Sequence, residues 1–198
     1  MLGFYFCSHI LILTDKNKEG KSIFYAVQAR LCKKHQNRWF LQNQKNVELI
    51  HKYKNWFGLN FAICYFYNAY GPHHDTCNNG WETVVSIFEK QFKKGQPLTI
   101  CGDGNQRRDF TYVEDIVEGL ILASNRLENQ EYQLGSGKDY SILEVAQMFG
   151  GEIKHIESRP GDRKTGIANV QETNQKLGWI PKMNLENWIK NIILNKND

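Results

Sequence analysis

Residues 60–67, Asn-Phe-Ala-Ile-Cys-Tyr-Phe-Tyr, set seven aromatic, aliphatic or sulfur-bearing side chains in unbroken succession. A run without alternation presents no polar face to water, so it reads as a strand buried on both faces, the pattern of a parallel sheet. Gly58 before it and Gly71-Pro72 after it supply the breaks. A strand covered on two sides needs helices nearby, and the flanking chain encodes them. Val47, Leu49, Ile50, Tyr53 and Trp56-Phe57 recur at helical spacing, predicting a helix that ends near Phe57 with Gly58 as its C-cap.

The same alternation continues downstream. Val84, Val85, Phe88 and Phe92 share one face of a predicted helix over 81–94, closed by Gly95. A short strand at 98–100, a tight turn at Gly102-Asp-Gly104, an extended stretch over 108–113 and a helix over 115–124 follow. Residues 132–134 read as a strand, Ser141-Ile-Leu-Glu144 as a capping box, 153–156 as a strand and 184–194 as a closing amphipathic helix. Strands alternating with helices indicate an α/β fold. Residues 15–46 show no clear element, and the apolar opening 1–13 lacks a basic start and is too short to cross a bilayer, so a buried strand or helix is expected there.

Composition narrows the function classes. The 198 residues suit one compact domain, and a net charge of +4 with lysines spread along the chain is unlike the dense basic blocks of a nucleic-acid reader. Five cysteines, Cys7, Cys32, Cys64, Cys77 and Cys101, include no CxxC pair, so neither a disulfide framework nor a zinc site is expected, and a reducing cytoplasm is the plain reading. His73-His74 with Asp75 and Cys77 has no second cluster at ligand spacing, and no metal is expected there either.

Five segments, in order, resemble the second half of the extended short-chain dehydrogenase/reductases that epimerise or dehydrate nucleotide-sugars with NAD. They are Tyr65-Phe-Tyr-Asn-Ala-Tyr-Gly-Pro72, residues 102–116 around Arg107-Arg-Asp-Phe110, Gln133-Leu-Gly-Ser-Gly137 with Ser141-Ile-Leu-Glu-Val-Ala146, Arg159-Pro-Gly-Asp162, and Leu177-Gly-Trp-Ile-Pro181. The resemblance implies that Asn68, at the carboxyl end of its strand, contacts the diphosphate or sugar, with turn capping as the alternative. Arg108 and Arg159 match the two arginines that grip the diphosphate, and guanidinium forks on separate loops suit one anion. For Arg108 the alternative is an internal pair with Asp109 or Asp115. Asp162 matches the ribose-binding carboxylate or is a surface-turn residue. Arg107 is expected to be solvated, Asp103, Asp109 and Asp115 to serve turn, loop and helix-capping roles, Gly135 and Gly137 to sit in turns, and Trp179 to lie in the core.

Two family features are missing. No Gly-x-x-Gly-x-x-Gly turn occurs, since Gly3 and Gly20 are the sole glycines before Gly58. The Tyr-x-x-x-Lys pair falls on Trp39 and Asn43 in the family's usual register, or on Leu41 and Lys45 if slid to the nearest lysine. Neither register holds a phenolic base, so no catalytic residue is assigned, and Lys45 remains as a candidate cofactor contact. The expected architecture is therefore a truncated Rossmann-like parallel sheet with helices plus the small C-terminal substrate-binding region of extended short-chain dehydrogenases, residues 46–198, behind an unassigned segment 1–45. The implied ligand is a UDP- or dTDP-linked sugar and the implied cofactor NAD. A chain of this kind is expected to be inactive alone, to be a non-catalytic binding module, or to work as half of a split enzyme, as a homodimer or with a partner that brings the NAD-binding half.

Overall fold

The computed structural model describes residues 7–16, 22–28, 36–72, 82–126, 128–158 and 164–195, with side chains from Lys45 onward. The His73-His74 cluster, Arg159 and Asp162 lie outside the described residues.

Strand β1 (Cys7–Lys16) runs antiparallel to β2 (Ser22–Gln28), and helix α1 (Gln36–Phe57) leads into β3 (Asn60–Tyr67). β4 (Ala69–Tyr70) is followed by α2 (Val84–Lys93), β5 (Leu98–Cys101), β6 (Arg107–Asp109) and β7 (Thr111–Tyr112). Then come α3 (Val113–Asn125), β8 (Gln130–Leu134), β9 (Asp139–Ser141), α4 (Ile142–Phe149), β10 (Ile153–Ile156), α5 (Val170–Leu177) and α6 (Leu185–Leu194).

The α/β class expected from the sequence is the one observed, with the central sheet ordered β2-β1-β3-β8. β3 pairs in parallel with β8, the companion its apolar run predicted, but on its other side it meets β1 antiparallel. Residues 15–46, where no element was expected, hold β2 and the first half of α1. Five residues between β1 and β2 allow a reversal and not a parallel crossover, which needs a dozen or more. Helix α5 was also not anticipated. Its sequence, VQETNQKL, is polar and buries just Thr173 and Leu177, one turn apart, so no apolar stripe betrays it. The capping box at Ser141 and Glu144 is present in full, and Asn184 caps α6 through Asn187 N.

Three apolar clusters hold these layers. Below β3, Phe61 and Ile63 pack on Ile50 of α1. Above it, Ala62 and Cys64 join Tyr132, Leu134, Ile116, Leu177 and Trp179. The largest cluster lies away from this sheet, where α2, α4 and α6 close over β5 and the ends of β4 and β7. Trp179 is 2% exposed, the core residue that the sequence indicated.

Burial on both faces isolates the Cys64 thiol, whose pKa desolvation pushes up from 9.0 to about 12. The unfolded chain ionises first, so this thiol's contribution to stability is intact below pH 9 and is lost as pH climbs toward 12. In the folded protein at pH 8, iodoacetamide followed by peptide mapping should leave Cys64 unlabelled, with full labelling in denaturant. Prompt labelling without denaturant would mean that β3 is not covered on both sides.

Candidate functional site

The site is built around β6, a three-residue strand paired on both edges. On one edge it meets β9 antiparallel, with Arg108 opposite Tyr140. On the other, residues 164–166 run parallel to it, as Arg107 N donates to Lys164 O at 2.8 Å and Asp109 N to Gly166 O at 2.9 Å. Alternation then sends Arg107 and Asp109 to one side and Arg108 to the other.

The Asp109 carboxylate is wholly buried. Its Oδ1 accepts from Ser136 N (2.8 Å) and Ser136 Oγ (2.7 Å), and its Oδ2 from Gly137 N (3.0 Å) and Ala168 N (3.1 Å). Asn68 joins the same knot from β3, its Nδ2 donating to Asp109 O at 2.7 Å. Asn68 is thus 8% exposed and its amide hydrogen bond is made to the protein backbone. The strand's end is thereby tied to β6.

Arg107 differs from expectation. It is not simply solvated: Nε donates to Asp139 Oδ1 at 3.1 Å, Nη2 to Asp139 O at 3.0 Å, and Nη1 lies 3.2 Å from Glu144 Oε2. The Ser141 backbone N–H, helped by Arg107, holds the Glu144 carboxyl below its ordinary range. Asp115 also departs from its predicted capping role. Its Oδ2 accepts from Lys182 N and Met183 N, both at 3.0 Å, and its carbonyl accepts from Trp179 Nε1 at 2.9 Å, so it clasps the Leu-Gly-Trp-Ile-Pro segment onto α3. Asp103 keeps its turn role, accepting from Asn105 N at 3.0 Å.

Arg108 is 5% exposed, and its Nη1 donates to Arg107 O at 2.8 Å. The two carboxylates that sequence offered as internal partners are engaged by backbone N–H groups, as described above. Arg159 and Asp162 lie outside the described residues, and those on either side of them are described. Ser158 lies against the Gly102 turn, where a Cβ on the glycine would meet Ser158 Cβ at 3.3 Å, and Lys164 is bonded to Arg107 N. Both flanks of the Arg-Pro-Gly-Asp segment therefore adjoin residues 102–109.

A cleft of about 340 Å³ opens elsewhere, between β8 and α5. Its polar lining is internally matched: Tyr65 Oη donates to Glu131 at 2.7 Å, Asn169 N to Gln133 Oε1 at 2.8 Å, and Lys176 Nζ to Gln130 at 2.6 Å. It contains neither Arg108 nor Asn68. Lys45 stands exposed on α1, the helix that also carries residues 39, 41 and 43. Among the described residues the pyrophosphate of NAD finds no fitting cradle, because β1 leads into antiparallel β2 and not into a glycine turn and helix N-terminus. No group of three or more metal-ligating side chains occurs among the described residues, and no described helix is long and apolar enough to cross a membrane.

Sequence reasoning missed Asp109 as an organising residue. The signal was there: alternation through 107–112 places Asp109 on the same side as Thr111, and a carboxylate facing inward demands donors. Gly135 lies in the bend after β8, as expected, but what demands glycine there is space, since a Cβ would sit 2.1 Å from Ala168 Cβ and 2.9 Å from Asp109 Oδ2. The backbone passes too close for any side chain.

Residues 35–140 match the family model described as the NAD dependent epimerase/dehydratase family. A UDP-glucuronic acid decarboxylase of Xenopus tropicalis is 30% identical over 142 residues, covering 69% of this chain and 33% of that protein. A UDP-glucuronate 4-epimerase of Thermodesulfobacterium geofontis is 26% identical over 162 residues, 78% of this chain and 49% of that protein. In fold, a UDP-glucose 4-epimerase of Thermotoga maritima, crystallised with UDP-glucose, superposes with a TM-score of 0.74 at 24% identity, over 88% of this chain and 56% of that one. The chain spans about half the length, or less, of the relatives it matches.

Gly135→Ala should lower stability by about 1–3 kcal/mol, read as a fall in urea midpoint with unchanged slope. An unaltered midpoint would show that Ala168 can move aside freely.

Proposed function

The chain belongs to the NAD dependent epimerase/dehydratase family, and from that premise we propose that its described half binds a nucleoside diphosphate-sugar, with Arg108 and Arg159 gripping the diphosphate. Asp162 takes the ribose diol, and Asn68 lies beside the diphosphate, holding the Arg108 strand with its amide nitrogen. The ligand class follows the relatives, whose names carry UDP-glucuronic acid, UDP-glucuronate and UDP-glucose. A UDP-sugar is accordingly favoured over a dTDP-sugar.

The observation that carries this reading is the mooring of residues 164–166 along β6. It brings the chain that follows Asp162 alongside the strand that bears Arg108. Two guanidinium groups on either side of one pyrophosphate supply several charge-assisted hydrogen bonds, each worth about 1.5–3 kcal/mol. The mild positive charge of the whole chain suits the same ligand.

Two groups that epimerase chemistry calls for are not provided by the described residues. Neither register on α1 supplies a phenolic base, and the NAD pyrophosphate has no cradle. We therefore assign no hydride or proton transfer to these residues. Epimerase or dehydratase activity requires further polypeptide that brings the NAD-binding half. The second reading, a binding module without turnover, is favoured by the absence of tyrosine from positions 39, 41, 43 and 45.

Calorimetric titration with UDP-glucose and UDP-glucuronate tests the reading. The wild-type chain should bind, and Arg108→Ala and Arg159→Ala should each weaken binding by about 1.5–3 kcal/mol, with the loss smaller at high salt. Thermal melts should shift upward with the UDP-sugars and stay fixed with NAD. Equal affinity in wild type and both variants would overturn the assignment of the arginines, and a shift with NAD alone would overturn the division of labour.

A further inference from the structure

We infer that Asp109 is the positioning residue for Arg108, setting the direction of that guanidinium through the backbone they share. The inference rests on the reading of Arg108 as a diphosphate ligand and adds a second residue whose role is transmitted, not direct.

The side chains of Arg108 and Asp109 leave β6 on opposite faces, so the carboxylate cannot aim the guanidinium by touching it. What it does is immobilise the peptide unit between them. Asp109 is fixed at its N–H by Gly166 O, at its C=O by Asn68 Nδ2, and at both carboxylate oxygens by Ser136, Gly137 and Ala168. With the preceding residue held too, Arg107 by Lys164 O on the backbone and by Asp139 and Glu144 on the side chain, the Cα of Arg108 sits between two anchored neighbours. Arg108 itself is paired through β9 opposite Tyr140.

A long, rotamer-rich side chain loses binding energy when it must be ordered by the ligand, and an anchored base removes part of that loss in advance. The same carboxylate also grips Ala168, which continues the 164–166 segment. Asp109 thus sets the distance between β6 and the chain leaving the Arg-Pro-Gly-Asp segment, as well as the orientation of Arg108. A carboxylate is required because every donor on it is an N–H or O–H group, Thr111 Oγ1 at 3.4 Å among them. A carboxamide of the same shape would keep one acceptor and turn a donor toward either Ser136 or the Gly137 and Ala168 pair.

The test is a double-mutant cycle on UDP affinity at 10 °C, with circular dichroism confirming that each variant is folded. Asp109→Asn should weaken UDP binding at least tenfold, Arg108→Ala ten- to a hundredfold, and the double variant no more than Arg108→Ala alone. Ser136→Ala removes one donor from a partly exposed position and guards against an unfolded Asp109→Asn protein. It should weaken binding two- to fivefold, again with no further effect once Arg108 is gone. Additive losses, or unchanged affinity in folded Asp109→Asn and Ser136→Ala, would reduce Asp109 to a stabilising residue and overturn the inference while leaving the arginine assignment standing. Failure of the wild-type chain to bind UDP would overturn both.

Discussion

A carboxylate sealed from water is the constraint around which β6, the Ser136 turn and residues 164–168 are arranged. Removing an ionised group from solvent carries a large penalty unless donors replace the lost hydration. Besides the local Thr111 hydroxyl, Asp109 recovers it from residues 27 to 59 positions away in sequence, all but one of those distant contacts through main-chain N–H groups. None of these partners can be met until the Ser136 turn, β6 and the strand-like 164–168 segment have come together. Several short ladders, each too small to persist alone, are thereby made a single cooperative unit.

The arrangement recurs one helix later. Asp115 clasps residues 182 and 183 while its carbonyl receives the indole of Trp179, so the ring that fills the space above β3 is held in register by α3. Gly119 lies where a side chain would strike Leu134 and the indole nitrogen, which lets α3 approach the sheet closely. Polar fixings thus define where the apolar pieces meet, and apolar burial supplies the cohesion. The two arginines of β6 divide along the same line: Arg107 bonds Asp139 and Glu144, and Arg108, on the opposite side of the strand, donates to the Arg107 carbonyl.

The elements with strong periodicity were legible in the sequence. β3, α2, α3 and α6, and the capping box that opens α4, lie within a few residues of where spacing and end signals place them. What could not be read was anything decided by distant partners. The antiparallel neighbour of β3 depends on β1 and β2, whose local sequence carries no orientation. α5 is polar nearly throughout and exists because Thr173 and Leu177 dock on β8 and α3. Arg107, Asp109 and Asp115 were visible as charged residues in the right segments. Which of them turned inward depended on donors several dozen residues away. Family likeness named Arg108 as a ligand without indicating what holds it in place.

The two rims of the central sheet are not equivalent. At the β8 rim, Gln133 N is taken by Thr173 Oγ1, so α5 lies along that margin and denies it to another strand. At the opposite rim, β2 pairs with β1 on one side, and the strand order ends with it among the described residues. Among the described residues the β2 margin therefore carries no further strand, and it lies two strands away from the end where Asn68 meets β6.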